Sequence, residues 1–467
     1  MTDRRQFLKT AGAISLAGGA GLYSTLANFS AQAADTTGYK ALVCVFLFGG
    51  LDCHDTILPY DQPSYDRYTE IRASLLQDYA ALPGGSTRDR DRLLALNPVN
   101  ASQFGSRQFA LPPEMSALKA LFDNGNAAII GNVGPLLEPT TKTDFENDSP
   151  ILPARLFSHN DQQSTWMAMK PEGAPVGWGG LFGDAAIASN ANQTPALTAV
   201  SSFGNTVFLV GNSTVPYELG ADGVQLVGAI ENENGDLPAD LPPIIRAHME
   251  SVGVARSNLY ERDMINATIA GLQTSDTLNA GLTNASSPIT TVFPQTFLAA
   301  QLRTIAQTIN IRAEMNSNRQ IFFVGIGGFD THSGQAANLP GLQQEISEAV
   351  AAFYLSTIEM GAAQDVTLFT ASDFGRTLTI NGDGTDHGWG AHHFVVGGGV
   401  NGNRIYGDIP LFDYDHANDA GNGRLIPSVS VEQMAGTMGR WFGLTPGEIA
   451  ASLPALSNFT QQDLGFV

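Results

Sequence analysis

Apolar runs of strand length recur along the chain at 41–48, 127–130, 206–210, 321–326, 366–370 and 393–396. None alternates apolar with polar positions throughout, the pattern of strands covered on both faces, as in a parallel sheet. Between them the apolar spacing turns helical: Met115, Leu118 and Phe122, then Leu298, Leu302, Ile305 and Ile309, then Leu342, Ile346, Val350 and Phe353. Strands and helices that alternate in this way predict an α/β fold, a three-layer α/β/α doubly wound and mostly parallel sheet, with an insertion at about 184–290.

Composition agrees with a folded core and narrows the partners. Of 467 residues 43% are hydrophobic, which excludes a disordered tail protein, and 50 glycines point to many tight turns at element ends. Lys and Arg number 24 against 45 Asp and Glu, a net charge of -21, so nucleic acid and anionic membrane surfaces would be repelled. The first 33 residues read as an address. Arg4-Arg5-Gln6-Phe7-Leu8-Lys9 is a twin-arginine pattern, followed by an Ala/Gly/Leu stretch and by Ala31-Gln32-Ala33, an Ala-x-Ala cleavage signal. The stretch is rich in glycine and short of the ~20 strongly apolar residues of a membrane span. The expectation is a signal peptide over 1–33 that engages the twin-arginine export machinery. It leaves a mature domain over 34–467, without a membrane span, in the periplasm or outside the cell. That route carries folded proteins, often with a metal or cofactor already inserted, so a metal site is worth seeking.

Cys44 and Cys53 are the only cysteines, and their spacing suits no thiolate zinc site. Cys44 falls inside a strand-like run, and a bridge to Cys53 would distort the turn between them, so both are expected to stay unbridged. Any metal must then be held by Asp, His or Glu. Three segments directly after strands carry such residues: Gly49-Gly50-Leu51-Asp52-Cys53-His54, Gly327-Gly328-Phe329-Asp330-Thr331-His332, and Ser372-Asp373-Phe374-Gly375-Arg376-Thr377. A fourth, Asp386-His387-Gly388, follows closely. Ligands of open parallel sheets bind outside the carboxyl ends of the strands, so these loops can converge on one crevice. Asp52, Asp330, His332, Asp373 and His387 together offer a one- or two-metal site for zinc, manganese, magnesium or calcium.

These motifs, with Leu58-Pro59-Tyr60, Arg155-Leu156-Phe157-Ser158-His159, Trp166 and the closing Trp441-Phe442-Gly443, resemble a widespread family of twin-arginine-exported bacterial proteins of unknown function. That family is placed in the alkaline phosphatase and sulfatase superfamily. The resemblance implies an alkaline-phosphatase-like fold in which Asp52 binds one metal and Asp330, with His332, serves a second. Asp373 ends its strand where the superfamily usually has Asp-His, but Phe374 follows here, so one imidazole is missing or comes from elsewhere. His387 matches the late histidine of the second site, with Asp386 as the alternative acid. By order in the chain Ser158 matches the nucleophile, placed before a helix whose N-terminal amides suit an anion; a capping serine is the alternative. Arg376 is a candidate clamp for phosphate or sulfate oxygens.

The resulting expectation is an exported, metal-dependent hydrolase of phosphate or sulfate esters acting on a small molecule or a glycan. The alternative is a non-catalytic binding or assembly protein of the cell envelope that keeps the fold, with or without one structural metal.

Overall fold

The computed structural model describes residues 33–221, 223–224, 238–252, 258–283, 285 and 288–467. The twin-arginine segment lies outside these residues. So does part of the expected insertion.

A nine-stranded mixed sheet, mostly parallel, forms the middle layer. Its strands are β1 (Lys40–Leu47), β2 (Ala127–Gly134), β3 (Ala199–Ser201), β4 (Tyr217–Glu218), β5 (Arg319–Ile326), β6 (Val366–Ser372), β7 (Ala391–Val396), β8 (Ile405–Gly407) and β9 (Val429–Ser430). They lie in the order β8-β2-β7-β6-β1-β5-β3-β4, with β9 also paired to β2. Strands β6, β1 and β5 are parallel neighbours, in register from Ala41 beside Val366 and from Lys40 beside Arg319. Only β7 runs against both of its neighbours. Within the 184–290 stretch, β3 and β4 extend one edge of the sheet.

Strand β1 shows why its sequence has no polar alternation. Ala41, Val43, Val45 and Leu47 face one core, while Leu42, Cys44 and Phe46 face the other. Each fully buried residue of this size contributes about 1.5–3 kcal/mol of transfer free energy. The first core is covered by a helix at Ser116–Asp123 and by two longer ones, Phe297–Asn310 and Gln335–Glu359. The three apolar stripes read from the sequence all point into it. The second core is covered by α-helices α1 (His159–Ala168), α2 (Trp178–Ala188) and α3 (Val431–Phe442).

One expected strand is absent. The run at 206–210 forms a short 3-10 turn, Val207–Leu209, with the Thr206 side chain accepting from the Phe208 amide. Glycines on α2 explain the change: a Cβ at Gly180 would lie 2.1 Å from the Val210 carbonyl carbon, and one at Gly179 2.7 Å from the Phe208 ring. The run packs against this bare helix face and has no strand partner. Cys44 and Cys53 are buried and unbridged, as expected.

Candidate metal centre

The loops that leave β1, β5 and β6 lie side by side because those strands are adjacent and parallel. Gly49 and Gly50 let the loops touch. Both have positive φ, +119° and +92°; a Cβ on Gly49 would sit 2.3 Å from the Asp330 amide nitrogen and one on Gly50 2.4 Å from the Phe374 ring. The Gly49 amide donates to Asp373 Oδ1, and its carbonyl accepts from Arg376. After β6 the chain forms an antiparallel hairpin, Arg376–Asn381 with Gly384–His387, which sets His387 opposite Arg376.

Three imidazoles and one carboxylate meet there. His387 Nε2 lies 3.1 Å from His159 Nε2 and 2.9 Å from His332 Nε2. Asp330 Oδ1 is 3.1 Å from His332 Nε2 and 3.5 Å from His387 Nε2, and its Oδ2 is 3.6 Å from His159 Nε2. His159, Asp330 and His387 each offer a ligand atom within 4.8 Å of the others.

The outer nitrogen of each ring faces an oxygen. His387 Nδ1 donates to the Phe157 carbonyl at 2.8 Å, and His159 Nδ1 donates to Asp373 Oδ2 at 2.6 Å. His332 Nδ1 faces Asp386 Oδ1 at 3.3 Å. Such outer partners fix the tautomer and leave the Nε2 lone pair inward, the arrangement of metal-ligating histidines. Ligands on a tetrahedral zinc with Zn–N of about 2.0–2.1 Å stand about 3.3 Å apart, close to the spacings here. The donor set of His159, Asp330 and His387 therefore fits one divalent cation, with His332 Nε2 beside Asp330 and His387 as a further candidate donor.

Electrostatics follow the same plan. The hydrogen bond to Asp373 raises His159 above the usual imidazole value against the opposing effect of burial. Burial holds His387 below it. For Asp330 burial works upward, but the Arg376 hydrogen bond and charge, with the facing imidazoles, outweigh it and keep the carboxylate ionised.

Of the residues named from sequence, Asp330, His332 and His387 come together at this point. The others stand behind these groups or apart from them. Asp52 is a correction: both of its oxygens are taken by the Arg72 guanidinium, at 2.7 and 3.1 Å, and Oδ2 also by Gln335 at 2.6 Å. Asp52 and Arg72 are wholly buried, so a guanidinium supplies the positive charge a metal would have brought. Asp373 is buried too, its oxygens committed to Gly49, His159 and Gln163, and acts behind His159. Asp386 stands behind His332 and also accepts from Asn381.

Arg376 is a second correction. It has no exposed side-chain surface, and it bonds Asp330, the Gly49 carbonyl and both oxygens of Thr385, so it braces the carboxylate and is not an open anion clamp. Ser158 sits at the N-cap of α1, but its hydroxyl makes no cap bond and instead donates to Asp161 Oδ2 at 2.8 Å.

His159 is the candidate ligand missed in the sequence. It supplies the imidazole that Phe374 displaced, while the Phe374 ring packs beneath it and His387, 4.8 and 4.7 Å between centroids. Its position within the Ser158-His159 stretch was the available signal. His54, His392 and His393 are core histidines, held by burial at about 3 and hence neutral.

No curated protein matches this chain. Similar solved structures include the lipoteichoic acid synthase LtaP from Listeria monocytogenes, 8% identical with a TM-score of 0.34, covering 93% of this chain and 76% of that one. They also include the C-terminal periplasmic domain of EcEptC from Escherichia coli, 9% identical with a TM-score of 0.31, covering 88% and 84%. A third is Ps i-CgsB in complex with k-i-k-neocarrahexaose, 9% identical with a TM-score of 0.32, covering 90% and 77%. The family model described as protein of unknown function (DUF1501) matches residues 39–454, and the chain belongs to that family.

Proposed function

We propose that this protein is an exported hydrolase of phosphate or sulfate esters that works with one divalent cation. The observation that carries the reading is the convergence of three Nε2 atoms, each ring set by an oxygen behind it, on the Asp330 carboxylate. A cation bound there would draw charge from an ester oxygen and lower the pKa of a nucleophile beside it.

The chain's own groups supply the rest. Arg376 and Gly49 hold Asp330 and Asp373 in place so that the ligand set is preorganised. Ser158 adjoins His159 in the chain and follows the carbonyl that fixes His387, which makes it the candidate nucleophile. Asp161, hydrogen-bonded to its Oγ, is placed to take the proton. Removal of residues 1–33 on export leaves all of these groups in the mature chain.

A second reading has one observation in its favour. Asp52 and Arg376, which would serve a two-metal hydrolase, are absorbed into the buried frame, as suits an envelope binding protein with one structural metal. Metal analysis of the purified protein with a panel of aryl phosphates and sulfates decides between them. One metal per chain with turnover of at least one ester supports the hydrolase. One metal without turnover on any ester supports the binding protein, and absence of metal after zinc or manganese loading sinks both.

A further inference from the structure

A cavity of about 450 Å³ opens along α1, one helical turn past His159. Gln163 joins the two places, since it lines the cavity and also donates to Asp373 Oδ2, the oxygen that holds His159. Ala174, Asn205, Thr206 and Val207 line this cavity and also a second one of about 640 Å³ beside Thr214 and Glu218, so the two form one groove that leads away from the metal centre. Each part lies within the range of about 300–1,000 Å³ that holds a drug-sized ligand. Together they take an extended one.

The lining specifies the chemistry. No Lys, Arg or His lines either part among the described residues; the charged residues there are Glu172 and Glu218. Phe48 and Phe203 stack with centroids 5.0 Å apart and form an aromatic plate in the wall. The amides of Asn160 and Asn205, the carbonyl oxygen of Gln163 and the hydroxyl of Thr206 supply donors and acceptors without charge. Amides and hydroxyls over an aromatic plate suit a chain of hydroxylated rings. The two glutamates would repel further anionic esters along it. A peptide, by contrast, would seek main-chain partners, and the strand β4 at this edge of the sheet is two residues long.

We infer that this groove binds an uncharged oligosaccharide whose single anionic ester is presented to the metal centre. The inference rests on the ester-hydrolase reading for the ester alone; the groove's affinity for sugar is measured without turnover. Isothermal titration of the full chain with maltohexaose, cellohexaose, laminarihexaose and chitohexaose tests it, with a Gly-Ser decapeptide as the comparison.

At least one sugar should bind with a Kd below about 1 mM. Phe203→Ala and the exposed Asn205→Ala should each weaken it about tenfold, with bound metal unchanged. Binding of none of the four sugars, binding that survives both substitutions, or tighter binding of the decapeptide would overturn the inference. If a sugar binds at the groove while its sulfated and phosphorylated forms are not cleaved, the groove stands and the hydrolase reading falls.

Discussion

His159 and Asp373 lie 214 positions apart in sequence and 2.6 Å apart in space. That bond sets which nitrogen of His159 carries the proton, so Asp373 would govern a cation bound at Nε2 without touching it. Asp373→Asn keeps the volume and removes the charge. It should weaken zinc binding about 10–100-fold while the protein stays folded, as read by chelator competition and circular dichroism. An affinity within about twofold of wild type would assign Asp373 no such part. Ser158 has a different signature. Ser158→Ala should abolish most ester turnover and leave metal content intact; because its hydroxyl caps no amide, the stability cost should fall below the ~1 kcal/mol of a lost cap. Retained turnover would pass the nucleophile's part to water. At this scale the sequence exposed the acids and histidines that follow strands, since position after a strand is a local property. It concealed His159 and the capture of Asp52 by Arg72, because both depend on residues brought together only by packing.

Elements carry the next layer of design, and the loop after β1 has least room for change. Gly49 packs against the Asp330 backbone at φ +119°, a conformation that side chains rarely adopt. Gly49→Ala should displace the Asp330 loop and lower metal binding at least tenfold, whereas Gly361→Ala, also at positive φ but facing open space, should leave it unchanged. Metal titration of the two variants checks this, and equal affinities would refute it. The hairpin after β6 turns at Asn381-Gly382-Asp383-Gly384, and nothing local to that turn shows that it faces Arg376 with His387. Strand length and helical spacing were readable because period and burial are written locally. The 206–210 run failed for the opposite reason, since what decides its shape is a glycine face on α2, distant in the pattern.

For the whole molecule, the buried Glu432 at the start of α3 links stability to acidity. Burial lifts its pKa from 4.5 to about 7, although the amides of Ala455 and Leu456 oppose this, and Oε2 finds no partner. The folded form thus holds the proton more tightly than the unfolded one. Its contribution is fully present below about pH 4.5 and is lost as pH rises through about 7, a change on the order of 3 kcal/mol. Glu432→Gln should therefore leave Tm nearly equal to wild type at pH 4.5 and raise it at pH 8. Calorimetry at the two values decides, and a Tm unchanged or lowered at pH 8 would falsify it.

The reversed strand β7 has a consequence in time. Residues 373–387, which hold Asp373, Arg376 and His387, leave β6 and return through β7, neighbours in the interior of the sheet and buried along their whole length. This stretch is tethered at both ends to the part of the molecule that opens last. The sheet therefore fixes where His387 stands, while the partly exposed His159, Asp330 and His332 leave the cluster open to solvent, so a cation bound there could exchange without the strands parting. Stripping by excess chelator should then run much faster than amide exchange of Val366–Ser372, so that the site empties and refills while the frame around it persists.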